Sequence, residues 1–229
     1  MPSFISITLE LLGGFGTSVM LFLLTLVFSL PLGLLISFAT KSKYKALRIP
    51  FNIIVWILRG TPLMLQIFVI FYVPGLLFGF VWPSMNTGIP WFDKTFSTRF
   101  IAALVAFSIN YAAYFSEIFR GGIQSISKGQ NEAGQVLGMT KKQIFNKVVL
   151  LQVIKNIIPP MSNEIITLVK DTSLANVIAV QDLMFLAQLQ LTRGLIWPIF
   201  YAGLFYLIFN GLLTILFNKL EKKLSYFKV

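Results

Sequence analysis

Long stretches without charge alternate with short charged segments along the chain, and they predict helices that cross a membrane. The segment from Leu11 to Thr40 contains no charged side chain, and a bilayer core about 30 Å thick is spanned by roughly 20 apolar helical residues. Four further apolar stretches follow. The five predicted spans lie approximately at residues 11–40, 49–80, 101–119, 152–180 and 194–218. We therefore predict an all-α integral membrane protein in which residues 1–229 form one domain.

Prolines interrupt two of the predicted spans. The sequence Arg-Gly-Thr-Pro at 59–62 lies within the second span, and two prolines at 159–160 lie within the fourth. Pro62 has no backbone N–H to donate to the carbonyl of Leu58, so a kink is expected there. A freed backbone group at membrane depth persists only where it lines a cavity or finds another partner. The kink beside Thr61 is therefore either part of a substrate site or a packing feature.

Composition agrees with a membrane protein and removes several classes of chemistry. Hydrophobic residues make up 56% of the chain and charged residues 12%, whereas soluble domains carry about 25% charged residues. The chain contains no cysteine and no histidine. Disulfides, zinc sites built from these residues and histidine-dependent triads are therefore excluded. We expect no catalytic residue, no metal and no cofactor bound by this chain.

Positive charges are concentrated on one side of the predicted spans. Of the 19 lysines and arginines, 14 lie in the first loop, in the segment from Arg120 to Lys155 and in the C-terminal tail, which includes Lys228. The positive-inside rule places these segments in the cytoplasm, with the N-terminus outside and the C-terminus inside. The net charge of +11 then indicates attraction to anionic lipid headgroups. We expect membrane lipid, and not nucleic acid, as a partner.

The cytoplasmic segment at about residues 120–151 has the composition of short helices joined by tight turns. The run from Ser127 to Gln130 is typical of a helix start, and Gly138 would allow a sharp turn between two helices. An ordered loop of this length is suited to docking another protein.

This segment resembles the hallmark of the membrane subunits of type I ABC importers, specifically their polar amino acid group. The hallmark reads Glu-Ala-Ala, three residues, Gly, nine residues, Ile, one residue, Leu-Pro. The chain has Glu132-Ala133-Gly134, Gly138, Val148 and Leu150 at these places, and it departs from the pattern at Gly134, Val148 and Leu151. Segments 59–63, 116–126, 128–130 and 170–174 also resemble signatures of this subfamily. The resemblance covers nearly the whole chain.

The resemblance implies partners and a mechanism. In that family the loop forms coupling helices that sit in a groove of a separate ATPase, a role carried over to Glu132, Ala133 and Gly138. A solvated helix carboxylate is the alternative for Glu132. The chain has no G-x-x-x-x-G-K-[ST] phosphate loop, so ATP and magnesium are expected on the partner. The implied complex, in the bacterial inner membrane, holds two ATPase subunits, an external substrate-binding protein and a second permease, either another copy or a similar chain.

Polar residues within the predicted spans are candidates for the translocation pathway, because ionisable groups at membrane depth are costly. Glu117 either pairs with Arg120, three residues further along the same helix, or meets a substrate ammonium or guanidinium group. The family places substrate contacts on spans two to four, and the predicted pathway residues are Thr61, Gln66, Asn110, Ala113, Tyr114 and Glu117. The predicted gate or subunit-interface charges are Arg59, Glu164, Lys170 and Asp171. A polar stripe that only joins helices is the alternative on the third span.

Two other classes of function are weighed against import. A secondary transporter driven by an ion gradient would work without a partner, and it would leave segment 120–151 without a role. A membrane enzyme would need clustered acid–base or metal-binding residues, and this chain offers only eight acidic residues and no histidine or cysteine. We therefore predict import of a polar amino acid by alternating access. The sequence leaves the identity of that amino acid open.

Overall fold

The computed structural model describes residues 3–85 and 87–224, and within them every regular element is helical. The helices are α1 (Phe4–Thr40), α2 (Lys45–Gly60), α3 (Leu63–Phe78), α4 (Pro90–Thr95), α5 (Thr98–Gln124), α6 (Lys128–Val136), α7 (Lys141–Ile144), α8 (Leu150–Asp171), α9 (Leu183–Thr192) and α10 (Trp197–Leu224). The all-α prediction is confirmed. Lys228 and both ends of the predicted domain 1–229 lie outside the described residues.

Three helices, α1, α5 and α10, are each long and apolar enough to cross a membrane. Two bent pairs pass the same test together: α2 with α3, bent by 111°, and residues 141–178 with α9, bent by 53°. By length and composition, the described part of the chain therefore holds three candidate spans, or up to five if each bent pair is one span. The five predicted spans are the upper end of this range.

The close packing of α1 against α5 forms the centre of the molecule. Ser3 caps α1 by accepting a hydrogen bond from the backbone N–H of Ser6 at 3.2 Å, so this helix begins before the predicted start at residue 11. At Gly33, a Cβ atom would lie 2.9 Å from the carbonyl oxygen of Ala112. Small residues at such a crossing let two helix backbones approach closely. Of the three long helices, α5 is the most buried.

The core lies around α5, between α1, α3 and α8. Four large side chains of α5 are fully buried: Phe100, Phe107, Tyr111 and Phe115. By contrast, α10 exposes a long apolar face. An apolar helix with an apolar exposed face is typical of contact with lipid or with another membrane subunit.

The break between α2 and α3 has a local cause. Thr61 precedes Pro62, and the residue before a proline is driven towards extended backbone. Thr61 adopts φ −119° and ψ 146°, and helix α3 starts after Pro62. The expected kink is thus a complete break, at which the chain turns by 111°.

The C-terminal half contains elements that the sequence patterns did not separate. A π-helical turn at Phe145–Val149 joins α7 to α8, and Pro159 and Pro160 lie inside α8 without ending it. A 3-10 segment, Thr172–Ile178, then leads to α9, which has 10 residues. No element was predicted over α9, because so short an apolar run cannot span a bilayer. Its start is capped by Asp182, which accepts from the backbone N–H of Phe185 at 2.8 Å.

The segment between α3 and α5, which connects the second and third predicted spans, contains the short helix α4. Asp93 on α4 accepts hydrogen bonds from the backbone N–H and the hydroxyl of Thr87, at 2.6 and 2.8 Å, and from the N–H of Gly88 at 3.0 Å. These hydrogen bonds favour the ionised carboxylate and lower the pKa of Asp93, and those from Thr87 have the largest effect.

Candidate translocation cleft and docking segment

The segment between α5 and α8 folds into two short helices around a glycine turn. α6 begins after Ser127, whose Oγ accepts from the N–H of Gly129 at 3.2 Å. The turn follows at Gly138, where φ is +73°, a backbone conformation that glycine adopts without strain. The N–H of Met139 donates to the carbonyl of Gly134 at 3.0 Å, a hydrogen bond typical of a helix C-terminus that closes on glycine.

Gly134 lets α6 pack against α7. A Cβ atom at this position would lie 2.6 Å from a γ carbon of Ile144, and both residues are buried. The family hallmark has alanine here, so the departure noted in the sequence coincides with the closest contact between the two short helices.

The outer face of α6 is exposed and partly apolar. Glu132 and Ala133 are exposed on it, and Val136 and Leu137 expose 88% and 78% of their surface. We refer to these four residues as the α6 face. Exposed apolar side chains gathered on an ordered helix are typical of a surface that binds another protein.

Side-chain amides close the bend between α2 and α3. Nε2 of Gln66 donates to the carbonyl of Leu58 at 2.8 Å and to Oγ1 of Thr61 at 2.8 Å. Nδ2 of Asn110 donates to the same carbonyl at 3.3 Å and to Oε1 of Gln66 at 2.9 Å. The carbonyl that Pro62 leaves without its helical donor is therefore paired. These hydrogen bonds also tie the bend to α5.

Glu117 lies between two arginines. Its carboxylate accepts from Nε of Arg120 at 2.9 Å and also from Nη2 of that residue, while Nη1 of Arg59 lies 3.5 Å from its Oε2. The guanidinium of Arg59 also lies over the ring of Tyr114, 5.3 Å from the centroid. The pairing of Glu117 with Arg120 is thus present. The three charged groups together carry one net positive charge.

Asp171, at the end of α8, is held by a residue that sequence reasoning missed. The hydroxyl of Tyr111 donates to Oδ2 of Asp171 at 2.7 Å. The sequence contained a signal for this residue. Tyr111 lies three residues before Tyr114, a predicted pathway residue, and is therefore close to it on α5. Lys170 is exposed, and among the described residues no ion pair joins it to Asp171.

Two adjacent cavities open on the side formed by α2, α3, α5 and α8. The Glu117 cavity has a volume of about 430 Å³ and is bordered by Arg59, Tyr114, Glu117 and Glu164, among others. The Asp171 cavity has a volume of about 350 Å³ and is bordered by residues that include Thr61, Asn110, Tyr114, Glu164 and Asp171. Tyr114 and Glu164 border both cavities. We therefore treat the two as one polar cleft.

The cleft brings together most of the predicted pathway and gate residues. Seven of the ten border it: Arg59, Thr61, Asn110, Tyr114, Glu117, Glu164 and Asp171. Gln66 and Ala113 are buried and border neither cavity, and neither does Lys170. Within residues 3–85 and 87–224, no group of three or more acidic side chains is placed to hold a metal ion. The cleft offers charges of both signs and hydroxyl groups, which are suited to binding a polar solute.

A helical membrane protein with a polar cleft and an exposed, partly apolar face on a short helix has the features of a transport permease. The chain belongs to the family described as the binding-protein-dependent transport system inner membrane component, whose pattern matches residues 29–226. It is a multi-pass protein of the bacterial inner membrane. The resemblance noted in the sequence is confirmed.

Relatives and solved structures agree with this assignment. The chain is 38% identical over 216 residues to the L-cystine transport system permease protein TcyB of Bacillus subtilis, covering 93% of this chain and 86% of the relative. It is 32% identical to the arginine transport system permease protein ArtQ of the same organism, covering 94% and 92%. A crystal structure of an amino acid ABC transporter with histidines matches with a TM-score of 0.81, 28% identity and coverage of 97% and 99%. The inward-facing MetNI methionine ABC transporter, 17% identical with a TM-score of 0.65, shares the fold.

Proposed function

We propose that this chain is the membrane-spanning subunit of an ATP-driven importer and that its substrate is a polar amino acid. The proposed partners are two ATPase subunits that hold ATP and magnesium, an external substrate-binding protein and a second permease, identical or similar. In this proposal the chain crosses the membrane five times, with its N-terminus outside and its C-terminus in the cytoplasm. The names of the relatives support the amino acid, and the basic segments support the orientation.

The charge arrangement of the cleft is the observation that carries the substrate class. A free amino acid presents a carboxylate and an ammonium group. Arg59 and Glu164 both border the Glu117 cavity, so one cavity offers a partner for each charge. Hydrogen bonds between charged groups are roughly twice as strong as those between neutral groups. The cleft is therefore complementary to a zwitterion and less so to an uncharged solute.

The two glutamates of the cleft have different roles in this proposal. Glu117 already accepts a hydrogen bond from Arg120 and forms an ion pair with Arg59, so its charge is compensated and it positions Arg59. Among the residues that the structure describes, no ion pair involves Glu164. Glu164 is consequently the better partner for a substrate ammonium, while Thr61, Asn110, Tyr114 and Asp171 supply polar lining to the pathway. Lys170, exposed beside Asp171, is retained as a charge at a gate or subunit interface.

The α6 face provides the route by which a separate ATPase acts on the cleft. α6 lies between α5 and α8 in the chain, and both helices border the cleft. A rigid-body displacement of α6 would therefore move two walls of the cleft together. Such motions of packed segments underlie alternating access in transporters. Glu132 and Ala133 are the proposed ATPase contacts, and Gly138 shapes the turn beside them.

The proposal is tested by uptake into proteoliposomes that contain this chain, its ATPase and its binding protein. A panel of labelled amino acids is offered with ATP inside, and uncharged sugars of similar size serve as controls. We expect uptake of at least one polar amino acid that requires both ATP and the binding protein. Uptake by this chain alone under a sodium or proton gradient, with no response to ATP, would contradict the proposal and support a secondary transporter.

A further inference from the structure

The end of α5 that leads into α6 lies directly against α8. A Cβ atom at Gly122 of α5 would overlap Cγ2 of Ile157 on α8, and Gly122 is buried. Small residues at a crossing let two helix backbones approach closely. Any side chain at Gly122 would therefore force this end of α5 away from α8.

A chain of hydrogen bonds joins the two helices at the same crossing. The side-chain amide of Asn156 on α8 donates to Oγ of Ser125 at 2.8 Å, and that hydroxyl donates in turn to the carbonyl of Gly122 at 2.8 Å. Nε2 of Gln152, also on α8, donates to Oε1 of Gln130 on α6 at 3.3 Å. α8 is thus bonded both to the end of α5 and to α6.

A small apolar core, distinct from the main core around α5, holds the same segments together. Its buried members are Ile144 of α7, Val149 of the π-helical turn and Val153 of α8. Partly buried side chains from α5, the segment after it, the glycine turn and α8 pack against it: Ile123, Ile126, Met139 and Ile157. Because α6 packs on Ile144 through Gly134, this core connects α6 to both long helices.

We propose that Gly122 and Asn156 are positioning residues of a rigid clamp that transmits a displacement of α6 to both walls of the cleft. We refer to Gly122, Ser125, Asn156 and Ile157 as the α5–α8 clamp. The first three also border the Glu117 cavity, so the clamp forms the end of the cleft nearest α6. Closely packed interiors transmit strain and change between discrete arrangements. The inference rests on the proposed function, because it supplies the mechanical path from the ATPase to the cleft.

A loosened clamp should produce a specific defect. If α5 and α8 no longer move as one body, the ATPase still docks on the α6 face and still hydrolyses ATP, while the cleft no longer changes its access. The quantity to measure is therefore amino acid uptake per ATP hydrolysed, in proteoliposomes that hold the complete complex. A change that merely unfolded the chain or prevented assembly would lower uptake and hydrolysis together.

Gly122→Ala is the test variant, since its methyl group would overlap Ile157. We expect uptake per ATP to fall about fivefold or more, the change that one overpacked contact produces in an equilibrium. Adding Ile157→Leu removes the overlapping Cγ2 at nearly constant volume and should restore most of the ratio. The control is Gly203→Ala, at an exposed position on α10 where a Cβ atom has no neighbour within 4 Å, and it should leave the ratio unchanged.

A cross-link separates a rigid clamp from a gate that opens. Ser125→Cys and Asn156→Cys are introduced together into a chain that otherwise contains no cysteine, and a short bifunctional thiol reagent joins them. We expect uptake to be equal to or higher than before cross-linking, because the two positions stay together during transport. The parent complex treated with the same reagent is the control.

Three outcomes would overturn the clamp. The first is a parental ratio in Gly122→Ala, including one in which uptake and hydrolysis fall equally. The second is a ratio that Ile157→Leu does not restore, and the third is a loss of uptake on cross-linking, which would show that the ends of α5 and α8 separate. Absence of ATP-dependent uptake in the parent complex would contradict the proposed function itself, whereas parental uptake with an unchanged ratio in Gly122→Ala contradicts the clamp alone.

Discussion

At the scale of single residues, the cleft contains two glutamates whose surroundings differ. Glu117 is bound by Arg120 and approached by Arg59, whereas Glu164 borders both cavities without an ion pair among the described residues. The distinction could not be made from the sequence, because both are carboxylates within apolar stretches. It depends on which residues α2, α5 and α8 bring together.

Replacing Glu164 by Gln tests this distinction. The change removes the negative charge proposed to hold the substrate ammonium and keeps the size of the side chain. A hydrogen bond to a charged group contributes about 1.5–3 kcal/mol, so we expect the KM for uptake to rise about tenfold or more. Glu10→Gln is the matched control, since Glu10 accepts from Gln190 at 2.9 Å and does not border the cleft. If KM changes equally in both variants, the assignment of Glu164 is wrong.

Replacing Gly134 by Ala tests the packing of α6 on α7. The added methyl group would lie 2.6 Å from Ile144, whereas the nearest atom to a Cβ at Gly129 of the same helix is 3.5 Å away. Overpacking costs about 1–3 kcal/mol, so hydrogen exchange across residues 128–144 should accelerate roughly fivefold or more. Gly129→Ala should leave the exchange rate unchanged or slower. Faster exchange in Gly129→Ala than in Gly134→Ala would contradict the account.

At the scale of elements, the bend between α2 and α3 depends on amides that arrive from two helices. Gln66 and Asn110 both donate to the carbonyl of Leu58. The break itself was predictable, since Pro62 follows directly from the sequence. Its angle and its partners were not, because Asn110 is 52 residues from Leu58 and only tertiary packing sets that distance. The same limit applies to α9, whose existence depends on burial against α1 and α10.

Replacing Gln66 by Leu should destabilise the bend. The substitution leaves the Leu58 carbonyl with the longer bond from Asn110 and leaves the Asn110 amide without the Gln66 oxygen. Unsatisfied buried polar groups cost about 1–3 kcal/mol, and for a chain of this size 1 kcal/mol corresponds to about 2–4 °C in Tm. We expect Tm in detergent to fall by several degrees. Gln188→Leu, at an exposed position on α9, should leave Tm unchanged. An equal fall of Tm in both variants would argue against a stabilising role of Gln66 at the bend.

The contact between Asp93 and Thr87 should be sensitive to acid. Hydrogen bonds from Thr87 and Gly88 lower the pKa of Asp93, so the folded loop favours the ionised form more than the unfolded chain does. The stabilisation is present above the ordinary carboxyl pKa of about 3.9 and is lost as pH falls through the lowered value. Protection of the Thr87 and Gly88 amides from hydrogen exchange should therefore fall in this acidic range. Asp93→Asn should abolish that pH dependence, and protection that persists unchanged at acid pH in the parent chain would contradict the assignment.

At the scale of the whole molecule, the architecture connects the α6 face to a polar cleft through two helices. The family, the all-α fold, the proline break and the glycine turn were accessible from the sequence, because each depends on composition or on local backbone chemistry. The grouping of seven predicted residues around one cleft required the structure, as did the role of Tyr111. The buried positions of Gln66 and Ala113 also required the structure, since the sequence does not distinguish a polar or small residue that faces a pathway from one that faces a neighbouring helix.

The central claim is that energy from a separate ATPase reaches the cleft through the α6 face. The most direct test is ATP-dependent amino acid uptake in proteoliposomes by the complete complex carrying Glu132→Arg. Asn218→Arg, at an exposed position on α10, is the control for an added positive charge. The account predicts that uptake falls at least tenfold in Glu132→Arg and stays within twofold of the parent in Asn218→Arg. Uptake in Glu132→Arg at the parental rate, with the same dependence on ATP, would contradict it.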